Sequence, residues 1–343
     1  MKAVILYRKN DIKIEEYKEK MFLGPDDVRI EIKAVGICGS DLHYYKHGRI
    51  GDFVVENPMV LGHEGVGVVL EKGENVKTLE PGDRVCMEPG IPGSNSRQVM
   101  EGHYNLDPDL TFWATPPVDG CLRETVIHPA AYTFKLGDNV GFDEGALIEP
   151  LAVGMQAVNK INVQPGDIAV VFGAGTIGIV TALSALAGGC AKVIITDIVE
   201  EKLRITRDYE NLIPIDISKQ DLHQLVMNET DGNGADAVFE ATGNEKAVNS
   251  IFPILKSSGK VVLIGMPVDK IKFDIVGAQC REAEIYTVFR YANIYPKAVR
   301  LLASGKINLK PLITKKFKFK DSVEAFNTAA DANAGINKVI IEL

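Results

Sequence analysis

Residues 28–33, Val-Arg-Ile-Glu-Ile-Lys, alternate apolar and polar with period two directly after the turn signal Gly24-Pro25-Asp26-Asp27, which predicts a half-buried strand. Shorter strand-like runs at 66–70 and 84–86 are separated by Gly73-Glu74-Asn75 and Pro81-Gly82-Asp83. The first 150 residues therefore predict a β-rich unit whose chemistry sits on loops. Near residue 151 the pattern changes: 168–172, 193–196, 237–239 and 261–264 are continuous apolar runs, the pattern of strands covered on both faces of a parallel sheet. Helical stretches at 177–186 and 218–229 lie between them, the second opened by a Ser218/Asp221 cap. This alternation predicts a doubly wound α/β domain over 151–284. After Ile285 mixed strand and helix return, and the chain closes on a strand-like run at 338–341. The simplest architecture inserts 151–284 into a domain made of 1–150 and 285–343. The run Lys315-Lys316-Phe317-Lys318-Phe319-Lys320 reads as an edge strand with lysines outward and phenylalanines inward.

Length agrees with this division, since 343 residues exceed one ordinary core. A net charge of −8 argues against a nucleic-acid or anionic-membrane partner and for a small-molecule substrate. The apolar run near Met1 is too short for a signal sequence and no later stretch reaches membrane-spanning length, so a cytoplasmic protein is expected. Five scattered cysteines, Cys38, Cys86, Cys121, Cys190 and Cys280, form no disulfide framework in a chain of this size.

Candidate chemistry begins at Cys38, followed 25 residues later by His63-Glu64. Taken singly, these are a small buried hydrophobe, a core histidine and a surface charge. Together they offer thiolate, imidazole and carboxylate, a donor set that suits Zn²⁺ and leaves a fourth position open, as in a catalytic site. Gly36, Gly39, Gly62, Gly65 and Gly67 crowd the same segments, allowing the close backbone approach that such a site needs.

A second motif, Gly173-Ala174-Gly175-Thr176-Ile177-Gly178, follows the predicted strand 168–172 and opens the next helix. In that context the first glycine turns the chain, the second admits a pyrophosphate and the third lets helix and strand pack closely. Asp197 ends the next strand 19 residues after Gly178, where a carboxylate accepts ribose hydroxyls and repels a 2′-phosphate. NAD is therefore expected over NADP, with Lys202, on the following helix, as an auxiliary ribose contact.

Both motifs, in this order, resemble the zinc-dependent medium-chain dehydrogenases. The closest likeness is to the sorbitol (L-iditol) dehydrogenase and polyol dehydrogenase family, through 36–45, 48–51, 58–64, Ala114-Thr115-Pro116-Pro117, 144–151 and Val288-Phe289-Arg290-Tyr291. The resemblance implies a GroES-like catalytic domain with an inserted Rossmann domain, zinc on Cys38, His63 and Glu64, and Glu149 acting through the zinc water; alcohol dehydrogenase relatives use the position of Glu149 as a ligand, so the two carboxylates remain interchangeable here. It implies a proton route through Ser40 and His43, or alternatively through Glu149. Substrate contacts by resemblance are Tyr44, Phe112, Thr115, Glu149, Arg290 and Tyr291. Cofactor contacts add Ile264, Gly265, Met266, Val288, Phe289 and Arg290 to Gly173, Gly175, Thr176, Ile177, Gly178, Asp197 and Lys202. Many relatives carry a four-cysteine structural zinc lobe after Asp83; this chain has only Cys86 and Cys121 there, so one zinc per chain is expected. The implied reaction is NAD-dependent oxidation of a polyol to its 2-ketose by a homo-oligomer, a tetramer in the family. Other readings are a simple-alcohol, threonine or sugar-phosphate dehydrogenase of the same superfamily, or a nucleotide-binding protein without turnover.

Overall fold

The computed structural model describes the chain except residues 19–21, 94, 268 and 332–334; Ser94, in the stretch between Cys86 and Cys121, lies outside the described residues. Two compact units emerge, Met1–Glu149 with Tyr295–Leu343, and Pro150–Ile294. Among the described residues no helix is long and apolar enough to cross a membrane.

In the first unit a seven-stranded sheet runs in the order Thr133–Lys135, Arg84–Met87, Glu64–Lys72, Asp27–Gly36, Lys338–Glu342, Ile313–Lys318, with Thr125–Pro129 also paired to Asp27–Gly36. The period-two pattern does what it predicts: Val28, Ile30 and Ile32 enter the core with Leu61, Met87 and Phe326. Antiparallel register sets Gly36 opposite Glu64, so the chain leaving one strand toward Cys38 lies beside the chain entering the other at His63. Lys338–Glu342 pairs on the opposite side of the same central strand, with Ile340 facing Gly36. Ile313–Lys318 is the sheet edge; Lys315, Lys316 and Lys318 are exposed, while Phe317 and Phe319 pack on the core.

The second unit is a six-stranded parallel sheet in the order Leu212–Asp216, Lys192–Asp197, Ile168–Phe172, Ala235–Glu240, Leu255–Leu263, Glu284–Thr287. Numbered within the unit this is 3-2-1-4-5-6, the doubly wound Rossmann arrangement. The three strands at its centre are filled mid-length by buried Ala, Val, Ile and Phe, with polar residues confined mostly to their ends, because helices cover both faces.

Two local expectations are corrected. Glu284–Thr287 joins the parallel sheet, with Tyr286 opposite Val262, which carries the second unit to Ile294 rather than to 284. Its exposed edge position, not a hydrophobic run, makes it a strand, so no apolar texture announced it. The helix expected from Ser218 starts at Leu222, because Ser218 turns its hydroxyl onto Asp216 and leaves Asp221 as the N-cap, accepting the N–H of Gln224. As expected, Cys38 and His63 lie in connecting segments, Cys38 as the N-cap of helix Gly39–His47, while Glu64 opens the strand Glu64–Lys72.

Candidate active site

Among the described residues, Cys38, His63 and Glu64 form the group of metal-binding side chains whose donor atoms all lie within 4.8 Å of one another. Their closeness follows from the Gly36–Glu64 register, and glycine is required there: a Cβ on Gly36 would stand 2.0 Å from Glu64 Oε2. His63 and Glu64 are buried and Cys38 is half-buried, which leaves the sulfur side open. Mixed sulfur, nitrogen and oxygen donors at this spacing fit a four-coordinate zinc with one free position.

Two buried charges hold this corner. Asp41, fully buried, accepts the N–H groups of Cys38 at 3.0 Å and Gly62 at 3.2 Å, and its Oδ1 lies 3.7 Å from His63 Nδ1. It thus fixes both segments that carry ligands and sets a negative charge beside the imidazole. Lys338 donates to both Glu64 oxygens at 2.7 Å and to the Ile37 carbonyl at 3.1 Å. Each carboxylate oxygen keeps lone-pair capacity for a metal. Burial alone would lower the Lys338 pKa; the Glu64, Cys38 and Glu149 charges outweigh it and leave it raised. His63 behaves similarly: burial opposes its proton, yet Asp41 and Cys38 hold its pKa well above the usual value, and a metal cation would take that proton's place.

A second buried histidine is the control. His128 places Nδ1 2.8 Å from Thr133 Oγ1 and Nε2 3.1 Å from the Glu88 carbonyl, and burial pushes its pKa down to about 3. It is a satisfied core residue, both ring nitrogens being hydrogen-bonded. Beside it Glu88 accepts the Tyr104 hydroxyl at 2.6 Å, and burial, aided by the charge of Glu149, pushes it up to about 7. Glu149 itself is buried in the first turn of helix Ile148–Ile161.

Ser40 is half-buried and His43 exposed on helix Gly39–His47, and the same helix buries Tyr44. The pKa of His43 is lowered by partial burial and by the charges of His47 and Lys46. Phe112 places its ring 5.6 Å from that of His63, and Thr115 follows it through a turn closed by its N–H on the Phe112 carbonyl. Ala114 has φ 52° and the Pro116–Pro117 bond is cis. Arg290, in the second unit, also has positive φ, 57°, and its guanidinium lies 4.8 Å from the Phe289 ring centre; Tyr291 is buried. Left-handed backbone at non-glycine residues costs energy and concentrates at functional loops. Both phrases that carry the polyol likeness thus contain one.

Every cofactor candidate lies where a parallel strand of the second unit ends. Gly173, at φ 99°, turns out of Ile168–Phe172, and a Cβ on Gly178 would stand 1.8 Å from its carbonyl oxygen; around Gly175 space is open. Thr176 and Ile177 begin the helix Thr176–Gly188, whose free N–H groups and dipole suit phosphate. Asp197 accepts the N–H groups of Ala174 at 2.8 Å, Ile198 at 2.8 Å and Val199 at 3.0 Å, tying its strand end to the glycine turn. Lys202 is half-buried on Glu200–Thr206. Ile264, Gly265 and exposed Met266 follow Leu255–Leu263, and Val288, Phe289 and Arg290 follow Glu284–Thr287.

Three supporting residues escaped sequence reasoning: Asp41, Lys338 and Glu240. Glu240, buried at the end of Ala235–Glu240, accepts Thr242 N–H at 2.7 Å and Gly243 N–H at 3.1 Å, setting the loop against which Gly265 packs. The Glu-Ala-Thr-Gly phrase at 240–243 is its only linear trace. Cys86 and Cys121, by contrast, are core thiols: burial raises both pKa values, that of Cys121 to about 12.

Residues 24–138 match the Alcohol dehydrogenase GroES-like domain family and residues 176–304 the Zinc-binding dehydrogenase family. The chain is 54% identical to a D-xylulose reductase of Morganella morganii over 96% of this chain and 98% of that one. It is 42% identical to mouse (Mus musculus) sorbitol dehydrogenase over 95% and 92%. An Escherichia coli oxidoreductase/dehydrogenase of unknown specificity involved in membrane biogenesis superposes with a TM-score of 0.94 at 34% identity, covering 99% and 98%. A fold with these two halves and an open zinc-type donor set defines a metal-dependent dehydrogenase; the chain belongs to the zinc-dependent medium-chain dehydrogenase/reductase superfamily, within its polyol dehydrogenase family.

Proposed function

We propose that the chain oxidises a polyol such as xylitol or sorbitol to its 2-ketose, with NAD as hydride acceptor and one zinc per chain. The observation that carries this reading is the convergence of Cys38, His63 and Glu64, in a chain 54% identical to a D-xylulose reductase. Bound at these sites, zinc supplies a Lewis acid for the substrate hydroxyl and the nicotinamide ring a hydride acceptor. The protein's own work is positioning and proton movement. Cys38, His63 and Glu64 hold the metal, Asp41 sets a negative charge beside His63, and Lys338 keeps Glu64 from turning away. Ser40 takes the hydroxyl proton and His43, exposed and with a lowered pKa, delivers it to solvent; Glu149 is the alternative acceptor. Asp197 supports NAD over NADP by its place at a strand end beside the glycine turn.

Substrate choice rests on Arg290, Tyr291, Tyr44, Phe112 and Thr115. A polyol presents adjacent hydroxyls, and a shorter alcohol forgoes the hydrogen bonds that the pocket makes to them. The same reading carries a homo-tetramer and a cytoplasmic setting, by likeness to the family. Initial rates across xylitol, sorbitol, arabitol, ribitol, galactitol, threonine, a sugar phosphate and ethanol, each with NAD and NADP, test it. A polyol with NAD should lead. Arg290→Ala should cost about 2–4 kcal/mol in kcat/KM for that polyol and far less for a short secondary alcohol. Preference for ethanol over every polyol, or no turnover at all, removes the assignment.

A further inference from the structure

His43 and His47 sit one turn apart on helix Gly39–His47, both exposed, with ring centres 5.8 Å apart and planes 39° apart. The opposite face of this helix is fixed: Tyr44 and Tyr45 are buried, the Tyr45 hydroxyl donates to Asn327 Oδ1 at 2.6 Å, and Lys46 reaches the Ala330 carbonyl. The two imidazoles therefore project from a rigid support. The geometry points to a second divalent-metal site here, held by both rings and separate from the Cys38–His63–Glu64 cluster. Histidines at i and i+4 are a helical metal-binding pattern, and imidazole nitrogen is the donor preferred by Zn²⁺, Ni²⁺ and Cu²⁺.

Two nitrogens, each about 2 Å from a shared metal, stand roughly 3 Å apart, and exposed side chains with ring centres 5.8 Å apart have staggered rotamers through which to approach that spacing. Position on the helix helps. His47 is in the last turn, where Gly48 ends the helix in a left-handed conformation and the dipole presents its negative end to a cation. Partial burial together with the charges of His47 and Lys46 lowers the pKa of His43, so its ring is neutral, the form that coordinates metal, while Lys46 is drawn to the Ala330 carbonyl. A metal so held takes His43's lone pair, and, on the proton route given above, it inhibits turnover.

The test uses zinc-loaded enzyme titrated with Ni²⁺ by calorimetry, for wild type, His47→Ala and His47→Gln, with zinc content measured afterwards. His47 belongs to no part of the proposed machinery, so both variants should keep the wild-type rate without nickel. One further nickel should bind per wild-type chain without releasing zinc, and both variants should bind it at least about tenfold more weakly, since chelation is lost. Equal nickel affinity in all three proteins, or nickel that enters only by displacing zinc, overturns the site. Nickel inhibition should shift by the same factor; a binding shift without inhibition upholds the metal site and instead removes His43 from the proton route.

Discussion

The metal corner and the dinucleotide turn are built by opposite means. Gly173, Gly175, Gly178 and Asp197 lie within a single strand–turn–helix–strand passage, where Gly178 closes on the Gly173 carbonyl and Asp197 accepts the N–H of Ala174. Cys38, His63, Glu64, Asp41 and Lys338 come from segments as much as 300 residues apart, joined by strand register and buried charge. A local device tolerates little change in shape; a non-local one tolerates little change in charge. Variants at the two places should fail in different ways.

The largest effect on ligand binding is expected at Gly178→Ala. With its methyl 1.8 Å from the Gly173 oxygen, the turn must open, and NADH affinity measured by fluorescence should fall about a thousandfold, roughly 4 kcal/mol, while zinc content stays at wild-type level. Loss of zinc as well would dissolve the distinction between the two regions. Asp197→Ala comes next. It should forfeit roughly a hundredfold of NAD-over-NADP preference in kcat/KM, through lost ribose hydrogen bonds and lost repulsion of a phosphate; an unchanged ratio would show that another residue reads the ribose.

Lys338→Met probes the other region. It removes the hydrogen bonds that hold Glu64 in place, so zinc affinity by chelator competition should fall about 10–100-fold, and in zinc-free protein it leaves the buried carboxylate without its ion pair, so denaturant unfolding should show a loss of about 3–5 kcal/mol, with NADH affinity unaffected. The smallest effect is a pH slope. Glu88 is shifted from 4.5 to about 7, chiefly by burial, so its native state binds more protons than the unfolded chain between those values and stability falls as pH rises through them. In Glu88→Gln that part of the decline in Tm should disappear; a slope identical to wild type would mean that Glu88 titrates normally.

The same contrast explains what was legible in the chain. The strand 168–172, the glycine turn and the acidic strand end are contiguous, so periodicity and turn chemistry placed them without any tertiary information. Period-two alternation likewise placed the central strand Asp27–Gly36 and the lysine-rich edge Ile313–Lys318. Lys338 looked like the first residue of a strand, and only pairing of Lys338–Glu342 with Asp27–Gly36 puts its ammonium on Glu64. Asp41 was similarly hidden, because its role depends on Gly62, 21 residues away. Glu284–Thr287 has too little buried apolar surface to signal a strand, and Ser218 reads as a cap until Asp216 claims its hydroxyl.

The central claim is that one catalytic zinc, held by the non-local corner, sits in a fold that stands without it. Elemental analysis of purified wild type and Cys38→Ser, alongside far-UV circular dichroism, tests this most directly. The account predicts one zinc per wild-type chain, none in Cys38→Ser, superimposable spectra, and polyol oxidation in the wild type alone. Two tightly bound zincs per chain, or a metal-free Cys38→Ser enzyme that still oxidises polyols, would contradict it.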